Sequence, residues 1–463
     1  MEVDYLIIGA GTTGLCFADQ LFTDTEATMA IVDRRGHAGG HWVDTYPFVE
    51  LHQPASYYGV PSAPLGNDRI DTDGPNAGFH RLASGAEVTH HLQTCLHERL
   101  IPSGRVHYYP LHEVTPERTV RSLLGGGVKP ITVRKKVVNA GRFENAIPRT
   151  HAPKYEIGEG AAYCPPNDLP RLAPFYQHFL IIGGGKTAID TCLFLLKSGA
   201  DPDIITWIVP RDSWLINRKT AQASQGFFAE TIGGFAAQLE AAAAATSAED
   251  FGLRQEESGN WLRVDKSVMP QMFHAATVTE REIDMLRKLH NIVRMGRVTK
   301  LESHQVVLEG GSVQLPVGTL AVDCTASAIS LKEPEPIFQG DEISCQLLRF
   351  PSVSFSATML AHFEAKLDSD EERNKLATPV PLPDTPHDFF KTTLVGFMNQ
   401  AAWRDSPIAS AFMRQTRLDP FSRLIADGDN TLPERQAVLE RMQAAMMPAA
   451  MNMQKLIAEK EAA

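Results

Sequence analysis

Tyr5-Leu6-Ile7-Ile8-Gly9-Ala10-Gly11-Thr12-Thr13-Gly14 and Phe179-Leu180-Ile181-Ile182-Gly183-Gly184-Gly185-Lys186-Thr187-Ala188 are two apolar runs, each ending in a glycine-rich turn. In the first, Gly9 allows a tight bend off a strand. Gly11 lets backbone approach a phosphate, and Gly14 permits close helix–strand packing. The helix that opens there would direct its N-terminal N–H groups at the phosphate charge. The second run ends in Gly-Lys-Thr, as a phosphate-binding P-loop does. That motif needs a glycine five residues before its last one, and this chain has Leu180 there. The run therefore reads as G-x-G-x-x-A, built on Gly183, Gly185 and Ala188, with Lys186 and Thr187 opening the helix. Two such units in one chain predict two dinucleotides held close together.

The residues that follow each unit differ in charge. Thr28-Met29-Ala30-Ile31-Val32 forms a second apolar strand and ends on Asp33, followed by Arg34. A carboxylate at that place accepts from a ribose diol and repels a 2′-phosphate. After the second unit, Ile204-Ile205-Thr206-Trp207-Ile208-Val209 leads instead to Arg211, with Arg218 and Lys219 further on. A guanidinium there can pair with a 2′-phosphate. The asymmetry, with the first unit at the N-terminus, predicts FAD on the first turn and NADPH on the second. The plainer reading of Arg211 is a solvated arginine at a strand exit.

A chain of 463 residues exceeds one ordinary core. Its composition, 43% apolar and 21% charged, is that of a water-soluble globular protein. The net charge of −11 argues against nucleic acid and anionic membrane surfaces as partners. No apolar run approaches a bilayer span, and Met1-Glu2-Val3-Asp4 shows no basic leader, so a cytoplasmic location is expected. The six cysteines are scattered without a C-x-x-C pair, which disfavours a flavin–disulfide relay and reads as reduced, buried thiols. His90, His91 and His97 share a helical pattern without a completing carboxylate or thiolate, so no metal is expected.

The fold class that follows is α/β, with two dinucleotide-binding (Rossmann-like) domains, the second inserted in the first, and a helical C-terminal region. The expected boundaries are 1–165 with 320–375 for the FAD domain, 166–319 for the NADPH domain, and 376–463 for the helices. Periodicity predicts a helix at 86–100, strands at 106–109 and 131–138, and an inserted alanine-rich helix at 235–245. A hairpin joins 304–308 to 312–315 through Glu309-Gly310-Gly311. Met442, Met446, Met447, Met451 and Met453 suggest core or interface in the tail, either capping the site's mouth or forming a homodimer contact.

The stretch Gly39-Gly40-His41-Trp42, Tyr46-Pro47 and Tyr57-Tyr58-Gly59 resembles the G-G-x-W…Y-P…Y run of flavin-containing monooxygenases and their Baeyer–Villiger relatives. His151-Ala152-Pro153-Lys154-Tyr155 fits the H-x-x-x-Y half of that family's fingerprint, while Asn145 and Ile147 replace the Phe and Gly of its first half. Val137-Val138-Asn139-Ala140-Gly141 and Val322-Asp323-Cys324-Thr325-Ala326 resemble its two A-T-G returns. In layout the resemblance covers about residues 1–365.

The resemblance implies that NADPH reduces FAD, and that the reduced flavin takes up dioxygen at its C4a carbon. The resulting peroxyflavin would then pass one oxygen to a small amine, sulfide or ketone. Gly40 and Trp42 would lie beside the flavin, Trp42 as packing. His41 and Gln53 would be the residues to act at the ring, with His52 beside them. A loop histidine satisfied by solvent is the plainer reading of His41. Two alternatives stay open: a flavin reductase or oxidase that does not oxygenate, and a non-catalytic redox sensor.

Overall fold

The computed structural model describes residues 1–144, 146–326 and 331–462. Strand β1 (Glu2–Ile8) runs into the first glycine turn, helix α1 (Thr12–Asp24) returns, and β2 (Met29–Asp33) pairs parallel to β1 with Ile8 opposite Val32. This βαβ unit places Leu15, Phe17 and Leu21 of α1 fully inside. Each such side chain contributes about 1.5–3 kcal/mol by leaving water. The completed sheet has six strands, in the order Phe338–Gln339, Glu342–Ser344, Thr132–Asn139, β1, β2, Val106–Pro110. Helix Val353–Lys366 packs against α1.

A second sheet is wholly parallel. Its order is Asn291–Val293, then β4 (Ile205–Ile208), then β3 (His178–Ile182), Thr319–Asp323 and Tyr163–Cys164. Helix α2 (Lys186–Lys197) follows the second turn and buries Ile189, Leu193 and Leu195. The chain leaves the first sheet after Asn139 and re-enters it at Phe338, so the second sheet is nested within the first. Strands Tyr163–Cys164 and Thr319–Asp323, expected in the first domain, are edge and inner strands of the second sheet. The nested unit is thus wider than 166–319. Of the expected return segment near 320–329, Ser327, Ala328 and Ile329 lie outside the described residues, as does Asn145 of the fingerprint.

The helix expected at 86–100 runs as Gly85–Thr94, opened by a Ser84/Glu87 capping box, and continues as a wider turn through Cys95–Leu100. The alanine-rich helix α3 (Phe228–Ala244) begins seven residues before its expected start of 235 (228 against 235). The pair Gly233-Gly234 weakens the local signal, and tertiary packing overrides it. The tail ends in α4 (Pro433–Glu461), which lies along α3. Arg441 binds Glu240 through two hydrogen bonds of 2.8 and 2.7 Å, and Arg435 stacks 3.5 Å from the centre of the Phe228 ring. Met453 is buried in this seam while Met447 and Met451 face solvent, so the methionine run divides between core and surface.

Candidate functional site

At the first turn Gly9 takes φ +106° and its N–H donates to the Val32 carbonyl at 2.8 Å. A Cβ on Gly14 would stand 1.9 Å from the Gly9 carbonyl oxygen, so only glycine lets α1 pack this close to the turn. Gly11 is the N-cap and offers no side chain, which leaves the first N–H groups of α1 without a side-chain partner. Asp33 is held at the tip of β2. Its Oδ2 accepts from the Ala10 N–H and its Oδ1 from the Arg35 N–H, both at 2.7 Å. Each oxygen keeps a free lone pair. Nearby, the Tyr108 hydroxyl is buried with no hydrogen-bond partner, and burial together with the Asp33 charge raises its pKa. Arg34 is exposed, 3.9 Å from Glu113.

From Gly39 onward the chain forms a strap between the two units. Gly40 (φ +60°) lies against Gly11, where a Cβ would come 2.8 Å from the Gly11 Cα. The Trp42 indole N–H donates to the Tyr58 hydroxyl at 2.9 Å, and that hydroxyl shares a hydrogen bond of 2.9 Å with Thr12 at the start of α1. Other strap residues reach the nested unit. Tyr46 donates to Asp190 Oδ2 on α2 at 2.7 Å, Phe48 stacks on Phe194 at 4.3 Å, and Tyr57 donates to the Ala221 carbonyl at 2.5 Å. Tyr57 and Tyr58 therefore face opposite units, as neighbours on alternate faces should.

The strap's imidazoles are kept neutral. Burial, reinforced by the Arg35 charge, pushes His41 down to about 4, and its ring lies 5.0 Å from that of Trp42. Burial and the Lys186 and Arg218 charges push His52 down to about 3. His52 Nδ1 accepts from the Thr277 N–H at 3.1 Å, so the neutral ring carries its proton on Nε2. Gln53 is half-buried and makes no side-chain hydrogen bond among the described residues.

At the second turn Gly183 takes φ +132° and donates to the Ile208 carbonyl at 3.0 Å. The Trp207 indole donates to the Gly183 carbonyl at 2.7 Å. Gly185 caps α2 without a side chain, and a Cβ built on it meets no atom within 4 Å. This is an open cradle at a helix N-terminus, the geometry that accepts a phosphate. Lys186 pairs with Asp190 one turn along, and Thr187 is half-buried at the same end. Arg211 leaves β4 exposed, its guanidinium unpartnered among the described residues.

Arg218 corrects the reading that it could join Arg211. It is 1% exposed, pairs with Glu282 at 3.0 Å, and donates to the His52 and Thr277 carbonyls and to Asn76 Oδ1. Its charge is already compensated inside the protein. Lys219 lies 3.4 Å from Glu280. These roles were hidden because the partners lie far along the chain. Asp190 alone left a trace, as an acid four residues after Lys186 on a helix.

Between strap and α2 lies a pocket of ≈ 70 Å³, lined by Phe48, Glu50, Leu82, Phe194 and Lys197 together with the Lys186–Asp190 and Arg218–Glu282 pairs. All six cysteines are buried and free. His90 and His97 are exposed while His91 accepts from the Val60 N–H at 3.0 Å, and no metal-type cluster occurs among the described residues. No described helix is long and apolar enough to cross a membrane.

Two sheets, one wholly parallel and one parallel but for its edge strand, each with a glycine turn opening a helix, define a protein of paired dinucleotide-type βαβ units, one nested in the other. The chain belongs to the same family as the uncharacterized protein Rv2000 of Mycobacterium tuberculosis and its Mycobacterium bovis counterpart Mb2023. It is 38% identical to each over 442 residues, spanning 96% of this chain and 81% of theirs. A ferredoxin–NADP reductase of Nocardioides is 26% identical over 229 residues, 49% of this chain and 60% of that one. No family model matches the chain. Among solved structures it is similar to the open form of cyclohexanone monooxygenase, at 13% identity and a TM-score of 0.47, over 96% of this chain and 98% of that one. It is also similar to a flavin-containing monooxygenase of Stenotrophomonas maltophilia, at 15% identity and a TM-score of 0.44, over 79% and 97%.

Proposed function

We propose that this chain is an FAD-dependent, NADPH-using monooxygenase that oxygenates a small organic substrate, an amine, sulfide or ketone. One observation carries the reading. Two helix N-termini without side-chain caps, each opened by glycines at the carboxyl end of a parallel strand, are tied together by a single strap. The ferredoxin–NADP reductase match, a nicotinamide-using relative by its name, is consistent with it.

The donor set suits the two groups. Gly9, Gly11 and Gly14 would hold the FAD pyrophosphate, and Asp33 its ribose, with the orphaned Tyr108 hydroxyl beside it as a further donor. Gly183, Gly185, Lys186 and Thr187 would hold the NADPH pyrophosphate, and the exposed Arg211 its 2′-phosphate. When bound, the flavin supplies the passage of a hydride's two electrons to dioxygen.

The protein's part is to position and to keep water out. Gly40 and Trp42 fix the strap over the first turn through Tyr58 and Thr12. The hydroxyls of Tyr57 and Tyr58 are both satisfied within the protein, so the strap presents its apolar ring faces. His41 and His52 stay neutral at physiological pH, and the His52 Nε2–H can donate a hydrogen bond while the ring remains neutral. Gln53, whose amide makes no hydrogen bond among the described residues, can orient a carbonyl or amine beside it.

The test is the visible spectrum of the purified protein during anaerobic addition of NADPH or NADH. The proposal expects a bound flavin that NADPH bleaches faster than NADH, and oxygenated product formed under air with little hydrogen peroxide. Bleaching accompanied by stoichiometric peroxide with every substrate would replace it by the oxidase or reductase reading. A colourless or unbleachable protein would sink both.

A further inference from the structure

The pocket between the strap and α2 contains three cations and three acids, and they do not all pair. Lys186 is compensated by Asp190, which also accepts from Tyr46. Arg218 is compensated by Glu282, buried beside it at 8% side-chain exposure. The side chains of the remaining two, Glu50 on the strap and Lys197 at the last turn of α2, both exposed, make no hydrogen bond or ion pair among the described residues. They stand on opposite elements, near enough for the Lys197 charge to act on the Glu50 carboxyl, yet beyond the 4.0 Å of an ion pair. The wall between them is apolar, formed by the stacked rings of Phe48 and Phe194 with Leu82 and Leu193.

We infer that this pocket binds a small zwitterion of the α-amino-acid type, its ammonium on Glu50, its carboxylate on Lys197 and its side chain against Phe48 and Phe194. Size agrees. A single buried water needs about 10–15 Å³ on the measure that gives this pocket ≈ 70 Å³, so the space suits roughly five to seven water-sized groups. Charge agrees too, because a ligand bearing both signs can meet Glu50 and Lys197 together, whereas a simple amine or acid can meet only one of them. Desolvation already raises Glu50 above the usual carboxylate range against the pull of Lys197 and Lys186, and an incoming ammonium would relieve it. The inference narrows the amine class of the proposed function and rests on that function only in treating the bound zwitterion as the substrate.

The test is saturation-transfer NMR and calorimetry on the whole protein with L-2-aminobutyrate, n-propylamine and butyrate as probes. Aminobutyrate should bind saturably and the two single-charge probes about tenfold more weakly or worse, the loss expected for one charged contact. Glu50→Gln should weaken aminobutyrate by about tenfold while leaving butyrate unchanged. Lys197→Met should weaken aminobutyrate and butyrate while leaving n-propylamine unchanged. Equal affinities for the three probes, no saturable binding in the millimolar range, or indifference to both substitutions would overturn the inference. None of these readouts uses the flavin. Saturable binding in a protein that NADPH fails to bleach would therefore leave the pocket standing and the oxygenase reading refuted, and the converse would do the opposite.

Discussion

Gly14 closes the first glycine turn and Gly185 is the middle glycine of the second, and the space around them is opposite in kind. A methyl group on Gly14 collides with the Gly9 carbonyl, whereas one on Gly185 enters open space at an ordinary φ of −92°. Gly14→Ala should therefore cost about 1–3 kcal/mol or more of stability through overpacking, read as a lowered denaturant midpoint. Gly185→Ala should leave that midpoint unchanged and weaken NADP⁺ binding by about tenfold or more, since the methyl fills the space the phosphate needs; undiminished binding would remove Gly185 from the nucleotide site. Arg211→Ala should cost about 1.5–3 kcal/mol of NADPH affinity while sparing NADH. An equal loss for both would return Arg211 to the solvated surface. Gly9, Gly14 and Gly183 were legible in the sequence because a positive φ or a close backbone approach demands glycine there. Arg218 was not, because its meaning depends on Glu282, and His52 was not, because its tautomer is set by an N–H 225 positions away.

Among the elements, the strap owes its shape to a side chain from the far end of the molecule. Arg417 is half-buried and donates to four carbonyls of the segment 56–63: Ser56, Tyr58, Val60 and Ala63. Burial lowers its pKa to about 10, which still leaves it charged at neutral pH. Arg417→Met should lower stability and raise amide exchange at Val60 and its neighbours well above that of β1. Exchange that rises everywhere equally would mean that the residue supports the whole fold and not this segment. Strands, turns and the capped helix at Gly85–Thr94 were readable from local pattern and cap chemistry. The true start of α3 was not, since Gly233-Gly234 masks a helix that α4 stabilises by packing along it.

For the molecule as a whole, three half-buried imidazoles set the response to acid. His41, His52 and His91 are depressed to about 4, 3 and 4, in each case first by burial, while each titrates near 6.5 when unfolded. Between these limits the unfolded chain binds more protons than the folded one. Stability is therefore full above pH 6.5 and is lost progressively as the pH falls toward 4. The urea midpoint should follow that course, and His52→Asn should reduce its slope by about one proton, roughly 1.4 kcal/mol per pH unit. A midpoint flat from pH 7 to 4.5 would contradict the buried, neutral assignment. Nesting of one sheet in the other was foreseeable from the two turns, although the strand expected near 320 to return the chain to the first sheet belongs to the second. The membership of the edge strand Tyr163–Cys164 was not, because two residues carry too little pattern to choose a sheet.

The hydrogen bond from Tyr46 to Asp190 and the stack of Phe48 on Phe194 also bear on how freely the parts of this protein can be exchanged by recombination. A graft that replaces the inner sheet with one from a distant protein would bring a foreign surface to the old strap, stranding a phenol and an aromatic face made for residues no longer there. Successful chimeras should be those whose crossover points carry residues 46–48 along with the graft, so the unit of inheritance here is larger than the segment that chain continuity suggests.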